Sequence, residues 1–417
     1  MQKQTAQTLN LQQAEQIAIQ NHPQIQAASY IANAAQEQVT EAKSAYYPLA
    51  FGSATGSYAE NDTRIGAGGL NSPRVFDRYG NGLTVNQLVT DFGRTHELVK
   101  SSSEHARAQQ ENVVTTREQV LLQVDQAYFG LLRAQSILSV AQQTVKSRQV
   151  VSDQVTELEK NKIKSGLDVS FANVNLSQAQ LLLIQAQNDL QASSAQLTAA
   201  LGYDTPRSFQ LTDEPLPGAP ASDVNTLIQQ ALRDRPDLIG QRLNVQSAES
   251  YTTAERDLWF PTVSAVGVAG LVPVIAAGGL APTTLPAPRY AAAGFNVNIP
   301  IFNGHQFGAQ RAEANYQAQA QNQYLRDLQD RIVRDVQMAW LNSISGFQRL
   351  SVTQQLLDQA NQALNLAQSR YNLGLSSIVE LSQAQLNQTQ AQIDATTAKY
   401  DYETQVSALN FQLGALR

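Results

Sequence analysis

The chain has 417 residues, a formal net charge of -6 and only 15% charged residues. Lysine and arginine are scattered along it, so the basic stripe that nucleic-acid binding requires is missing and we expect no nucleic-acid partner. It contains no cysteine, which excludes disulfides and thiolate metal sites. The first five residues lack the apolar core of a signal peptide, so we expect either a cytoplasmic protein or a mature form.

One apolar run, residues 265–282, resembles a membrane helix in composition. Pro273 lies in its middle, four glycines interrupt it, and its length is barely sufficient. We therefore expect no membrane-spanning helix in this chain.

The first half of the chain predicts helices, then two strands, then a long helical hairpin. Short helices cover residues 9–22 and 23–44, and a β-hairpin covers about 45–90 with a loop at 60–76. Residues 94–164 contain no proline and predict one very long helix, followed by a return helix over 173–201. Its apolar residues keep a four-three spacing along Val113, Val120, Val124, Ala127, Leu131, Ala134, Leu138, Ala141 and Val145.

The second half repeats this pattern after a proline-rich linker. Asn21-His22-Pro23 recurs as Asp234-Arg235-Pro236, and Gly166-Leu167 recurs as Gly374-Leu375. We predict a first structural repeat over residues 1–203, an equatorial linker over 204–221 and a second repeat over 222–417. The second repeat has a β-hairpin at about 259–302, a long helix at 307–372 and a return helix at 377–413.

The predicted strands are long enough to cross a bilayer when tilted, and aromatic residues flank them as expected at a membrane interface. Four strands cannot close a barrel, so a membrane location requires eight strands from a dimer or twelve from a trimer. The alternative is a soluble elongated coiled-coil scaffold or interaction protein. The flanking aromatics are Tyr46, Tyr47, Tyr58, Tyr79, Trp259 and Tyr290.

The order of these features resembles the outer membrane factor family of TolC-like channels. The resemblance covers essentially the whole chain and includes the Asn-Ile-Pro-Ile-Phe-Asn-Gly segment at 298–304 and the Tyr371-x-x-Gly374 tip followed by Glu380. It implies a mainly α protein with a membrane β-barrel, built from internally duplicated helical hairpins. The homotrimer would form a twelve-stranded outer membrane barrel, in contact with outer membrane lipid, and a periplasmic α-barrel of twelve helices.

The same resemblance implies an exit duct of a tripartite efflux or type I secretion system. Its partners would be a periplasmic adaptor protein and, through the adaptor, an inner membrane transporter. We expect the adaptor to dock at the two hairpin tips, through Gly166, Leu167, Gly374 and Leu375. The two glycines are also expected to end the long helices in the left-handed conformation that glycine adopts most easily.

The periplasmic aperture is expected at Asp168, Tyr371, Glu380 and Gln383. The spacing of Ser377 and Glu380 equally suits a helix capping box, and an acidic ring of Glu380 side chains would favour cations. The chain departs from the family at Ser376, where a gate arginine can occur, and at Gln383, where a second acid can occur. We therefore expect a weaker or differently connected gate.

No residues predict catalysis or a cofactor. The four histidines, His22, His96, His105 and His305, have no acidic or histidine partners at metal-ligand spacing except His96 and His105, which lie nine residues apart on different faces of one predicted helix. No phosphate-binding glycine loop or nucleophile motif is present in the sequence. We expect no enzymatic activity, no metal and no cofactor.

Overall fold

The computed structural model describes residues 7–57, 64–67, 70–74, 78–271 and 289–416. Its helices are α1 Leu11–Asn21, α2 Pro23–Lys43, α3 Arg94–Lys160, α4 Gly166–Ala200, α5 Val224–Asp234, α6 Pro236–Arg256, α7 Gln306–Asn372 and α8 Ile378–Gln412. Its strands are β1 Gln7–Leu9, β2 Leu49–Ser57, β3 Arg64–Ala67, β4 Leu70–Arg74, β5 Arg78–Thr90, β6 Phe209–Leu211, β7 Thr262–Leu271 and β8 Arg289–Asn298. Within these ranges, no helix is both long and apolar enough to cross a membrane.

Equivalent helices in the two halves have equal lengths. Helices α1 and α5 have 11 residues each, α2 and α6 have 21, α3 and α7 have 67, and α4 and α8 have 35. A residue in one half therefore has a structurally defined equivalent in the other, found by counting from the first residue of each helix. The first residues that correspond are Leu11 and Val224, Pro23 and Pro236, Arg94 and Gln306, and Gly166 and Ile378.

Two predicted helix boundaries in the first half are wrong. Helix α3 ends at Lys160 rather than at residue 164, and α4 begins at Gly166 rather than at 173. The reason is local capping, because the Ser165 hydroxyl accepts a hydrogen bond from the Asp168 N–H and the Asp168 carboxylate accepts one from the Ser165 N–H. This capping box starts the helix at Gly166, before its first buried residue, Ala172.

The predicted strand pattern also needs correction. Part of the predicted loop at 60–76 forms β3 and β4, which pair antiparallel, and Gly68-Gly69, a dipeptide favoured in hairpin turns, separates them in the sequence. Ser44–Tyr46 is a 3-10 turn rather than strand. Strand β8 stops at Asn298, before the predicted end at 302, because Pro300 cannot donate to a strand ladder. Residues 272–288 and Tyr58 lie outside the described residues.

The predicted linker contains a strand that the sequence did not reveal. Strand β6 pairs in parallel with β1, and Leu9 aligns with Leu211. Tyr128 on α3 donates its hydroxyl to the carbonyl oxygens of Leu9, at 3.1 Å, and of Thr212, at 2.6 Å. The N-terminal segment and the linker are thus bonded to the same helix.

The chain divides into two compact units. The first comprises residues 1–31, 110–240 and 326–417, and the second comprises 32–109 and 241–325. The core of the first unit includes the predicted seam of α3, with Val120, Val124 and Leu131 buried against Ala14 and Ala18 of α1. The apolar face of α3 therefore packs against α1 in this part of the helix.

Buried or partly buried alanines recur at heptad spacing on α4 and α8, two helices that contact each other in the first unit. Ala172, Ala179 and Ala186 are buried on α4. Small side chains at this spacing let two helix backbones approach closely along one seam. Counted from the first residues of the two helices, their equivalents on α8 are Ala384, Ala391 and Ala398. We call these six residues the alanine seam.

The two return helices end in the same way within the first unit. Gly202 and Gly414 follow α4 and α8 with φ of 76° and 68°. A Cβ atom on Gly202 would lie 3.0 Å from the backbone of Asn21 and His22, and one on Gly414 would lie 3.1 Å from Arg235. Both glycines are therefore required by backbone conformation and by close packing against the end of a short helix.

The second unit contains a four-stranded antiparallel sheet in the order β2-β5-β7-β8. Gly82 of β5 pairs with Gly270 of β7, which pairs with Tyr290 of β8. The Tyr290 side chain lies across both glycines and occupies the space that their side chains would need. Strands β2 and β8 lie at the two edges of this sheet.

Candidate functional site

The hairpin tips of the first unit are two short turns with the same backbone geometry. Residues 161–165 join α3 to α4, and residues 373–377 join α7 to α8. The Ile163 N–H bonds to the Leu158 carbonyl at 2.9 Å, and the Leu375 N–H bonds to the Arg370 carbonyl at 2.8 Å. This six-to-one bond is the Schellman pattern of a helix C-terminus.

The left-handed position of this pattern is filled differently in the two turns. Gly374 occupies it with φ 76°, as predicted, and Lys162 occupies it in the first turn with φ 61°. The predicted cap at Gly166 is wrong, because Gly166 is the first residue of α4. The structural equivalent of Gly374 is therefore Lys162, and that of Leu375 is Ile163. Gly166 and Gly374 match in the sequence but do not occupy equivalent positions in the structure.

The second helix of each tip begins with a serine cap and an acidic residue. Ser377 accepts a hydrogen bond from the Glu380 N–H at 3.4 Å, which matches Ser165 and Asp168 in the first tip. The Glu380 carboxylate differs from that of Asp168, because its Oε1 lies 3.2 Å from Nε of Arg370. Glu380 is thus paired with a cation of its own chain, a partner that the sequence analysis did not identify.

Beneath the turns, an apolar cluster joins all four tip helices. Val155 of α3, Ala172 of α4, Tyr371 of α7 and Leu381 of α8 belong to it. Tyr371 is 3% exposed, and its hydroxyl has no hydrogen-bond partner among the described residues. Burial, together with the nearby charge of Asp168, raises the pKa of the Tyr371 hydroxyl. The structure therefore brings Asp168 and Tyr371 together.

A cation also contacts Tyr371. Nζ of Lys164 lies 4.2 Å from the centroid of the tyrosine ring, a cation–π contact between the first turn and the end of α7. No local sequence signal predicts this contact, because the two residues lie in different halves of the chain. The contact links the two hairpins at their tips.

Polar contacts continue along the hairpins above the tips. Asn175 of α4 donates to Ser382 of α8 at 2.6 Å, and Arg148 of α3 donates to the Gln385 carbonyl at 2.8 Å. Arg148 is buried, and burial lowers the pKa of its guanidinium to about 10. Arg148 continues the four-three seam of α3 beyond Val145. An arginine on an otherwise apolar seam could therefore have been recognised in the sequence as a candidate buried polar contact.

The predicted docking residues carry exposed apolar side chains. Leu375 and its equivalent Ile163 are each 67% exposed, and Leu167 and Leu373 are similarly exposed. Gln383 donates to Asn387 on its own helix at 2.9 Å. Both tips therefore present leucine or isoleucine to solvent in the single chain, next to charged and amide side chains.

The predicted interface aromatics lie around the second unit's strands. Tyr46, Tyr47, Trp259 and Tyr290 are exposed. Tyr79, the second residue of β5, pairs with Gly56 of β2, and Tyr58 lies outside the described residues. Among the residues that the structure describes, no group of histidine and acidic side chains is arranged to hold a metal ion.

Comparison with known proteins covers nearly the whole chain. The family model described as "Outer membrane efflux protein" matches residues 14–203 and 227–415. Outer membrane protein TolC of Escherichia coli is 22% identical over 386 residues, covering 91% of this chain and 77% of TolC. The toluene efflux pump outer membrane protein TtgC of Pseudomonas putida is 25% identical over 394 residues, covering 90% of this chain and 77% of TtgC.

The fold is also found in solved structures. The CmeC outer membrane channel of Campylobacter jejuni superposes with a TM-score of 0.81 and 18% identity, covering 97% of this chain and 85% of CmeC. These comparisons confirm the resemblance to TolC-like proteins and do not favour a soluble scaffold. The chain belongs to the outer membrane efflux protein family: it is an outer membrane channel protein, and it is not an enzyme.

Proposed function

We propose that this protein is the passive exit duct of a tripartite efflux or type I secretion system. Three copies form a twelve-stranded barrel in the outer membrane and a periplasmic tunnel of twelve helices. A periplasmic adaptor docks at the tips and couples the duct to an inner membrane transporter. The relatives TtgC and CmeC, an efflux pump protein and an outer membrane channel by name, support this assignment.

The observation that carries the proposal is the open four-stranded sheet. Its edge strands β2 and β8 each pair on one side only within the described residues. In lipid, unpaired backbone groups cost several kcal/mol each, so a sheet spanning the membrane must close on itself. Four strands are too few to close, and further copies of the same chain supply the missing strands.

Exposed apolar stripes on the helices of the first unit support the same assembly. On α7, Met338, Val352 and Leu366 are exposed and lie two heptads apart. Stripes of this period fit a neighbouring helix, and a second copy of the chain offers complementary stripes. The exposed residues of α4 that follow a four-three spacing are Leu167, Phe171, Val174, Leu181 and Ile184.

We assign adaptor docking to the tip side chains, extending the predicted set. Gly166, Leu167, Gly374 and Leu375 remain in the set, and Ile163 joins it as the equivalent of Leu375. The exposed leucine and isoleucine side chains form an apolar surface within reach of a docking partner.

We assign the periplasmic aperture to Asp168, Tyr371, Glu380 and Gln383. In this proposal the Lys164 contact with Tyr371 and the Arg370 pair with Glu380 hold the tips together. A gate held by these two contacts fits the departures from the family at Ser376 and Gln383.

Single-channel recording in a planar bilayer tests the duct and its aperture together. The protein should conduct, with a preference for cations set by the threefold-repeated Glu380. Glu380→Gln should reduce the cation preference and Arg370→Gln should increase it, because each removes one partner of the pair. Absence of conductance by the inserted protein would contradict the duct, and an unchanged ion preference in both variants would remove Glu380 from the aperture.

A further inference from the structure

Three acidic side chains are packed inside the first unit, far along the chain from the tips. Asp125 of α3 and Glu403 of α8 are each 2% exposed, and Glu15 of α1 is half-buried beside Asp125. Oδ1 of Asp125 and both carboxyl oxygens of Glu403 have no hydrogen-bond partner among the described residues. Asp125 also interacts with Ser407, which lies one helical turn after Glu403.

Buried ionised carboxyls without partners are costly, because nothing replaces the water that they lose. The nearby charged groups do not offset this cost of burying the carboxylates. Lys399 forms an ion pair with Asp213, and Glu214 of the linker adds another acid, whose Oε1 accepts from the Leu11 N–H at 3.2 Å. The phenols of Tyr128 and Tyr400, which burial keeps neutral, also face the cluster.

The cluster therefore favours bound protons. Burial, with the adjacent Glu15, raises the pKa of Asp125 to about 7, and burial raises the pKa of Glu15 as well. Burial raises the pKa of Glu403 to about 7. Two adjacent carboxyls such as Glu15 and Asp125 can hold one proton between them, and they titrate as a pair.

We propose that Glu15 and Asp125 form a proton-dependent latch that holds helix α1 on helix α3. With a proton between them, one carboxyl donates a hydrogen bond to the other. When that proton leaves to solvent, two negative charges face each other in a buried site, and the packing of α1 loosens. Glu403, on the neighbouring helix, adds to this repulsion when it loses its own proton.

The sign of the pH dependence follows from the raised pKa values. The unfolded chain loses these protons near pH 4, and the folded chain holds them to about pH 7. The stability of the latch therefore falls as pH rises through this interval and levels off above it. His22, at the end of α1, acts in the other direction, because burial lowers its pKa and its protonation in acid opposes folding.

Hydrogen exchange of the assembled protein in detergent tests the latch between pH 6 and pH 8. After correction for intrinsic exchange, protection of residues 7–21 should fall by about tenfold, the factor that corresponds to one pKa unit. Peptides from α6 serve as the internal reference. Asp125→Asn keeps the side-chain shape and removes the charge, so the fall should shrink in this variant to the part that Glu403 contributes.

Glu15→Gln is a second variant, at the less buried position of the pair. It allows the same hydrogen-exchange measurement if Asp125→Asn does not assemble. Glu37→Gln, at an exposed glutamate of α2, is the matched control and should retain the fall. Protection of residues 7–21 that is independent of pH in the unsubstituted protein would overturn the latch. The same conclusion would follow if the fall were undiminished in Glu15→Gln.

Discussion

At the scale of single residues, the two tips form the same turn with different side chains. Lys162 and Gly374 occupy equivalent left-handed positions, with φ of 61° and 76°. A side chain in this conformation costs roughly 1–2 kcal/mol, and glycine avoids that cost. Lys162 keeps a strained conformation beside Lys164, which contacts Tyr371. The left-handed position therefore costs the first tip more conformational free energy than the second.

Substitutions at these positions should have opposite effects. Gly374→Ala should destabilise the second tip by roughly 1–2 kcal/mol, and Lys162→Gly should stabilise the first by about 0.5–1 kcal/mol after the entropy of glycine is counted. Hydrogen exchange of the tip peptides measures both. Gly166→Ala is the control, because Gly166 is helical with open space around it, and this change should be neutral or stabilising. A destabilised Gly166→Ala tip beside an unaffected Gly374→Ala tip would refute this assignment of the turns.

At the scale of elements, the alanine seam sets how closely α4 and α8 approach. Ala179 and Ala391 are both nearly inaccessible to solvent. A larger side chain here would force the two helices apart, whereas a leucine at an exposed position of the same helix remains at the surface of the chain.

We expect Ala179→Leu to destabilise the protein by about 1–3 kcal/mol through overpacking. Thermal unfolding followed by circular dichroism measures the change. The control is Ala195→Leu, at an exposed position of α4, which should change stability by less than about 0.5 kcal/mol. Equal effects of the two substitutions would mean that the seam does not limit the helix approach.

Elements with a strong local signal were predictable from the sequence. The ends of α7 and α8 lie at or next to the predicted positions, because a glycine, Gly374 or Gly414, follows the end of each helix. The start of α4 was missed because its signal is the Ser165 and Asp168 capping box, which precedes any apolar residue of the seam. Strands β1 and β6 are short and pair between distant parts of the chain, so no local pattern identifies them.

The candidate site was predictable only in part, for the same reason. Tyr371, Glu380 and Leu375 were assigned to the site from the family resemblance, and that assignment stays a prediction. Their partners Lys164 and Arg370 were not identified, because a contact between side chains depends on how the helices pack. The correspondence of Lys162 with Gly374 also required the structure, because it depends on where the long helices end.

At the scale of the whole molecule, the surfaces that a single chain leaves exposed favour assembly. The sheet has two edges that pair on one side only within the described residues, and α4 and α7 carry exposed apolar stripes. Each feature is unfavourable in an isolated chain and favourable in a closed ring of identical chains. The duplication of helical hairpins within one chain then gives twelve helices around a trimeric tunnel, as proposed above.

The most direct test is the mass of the detergent-extracted particle. Native mass spectrometry should give three times the 45.4 kDa mass of one chain, with the detergent removed. Leu181→Glu combined with Ile184→Glu, which places charges on the exposed stripe of α4, should shift the particle toward single chains. A wild-type particle containing one or two chains would contradict the trimeric duct.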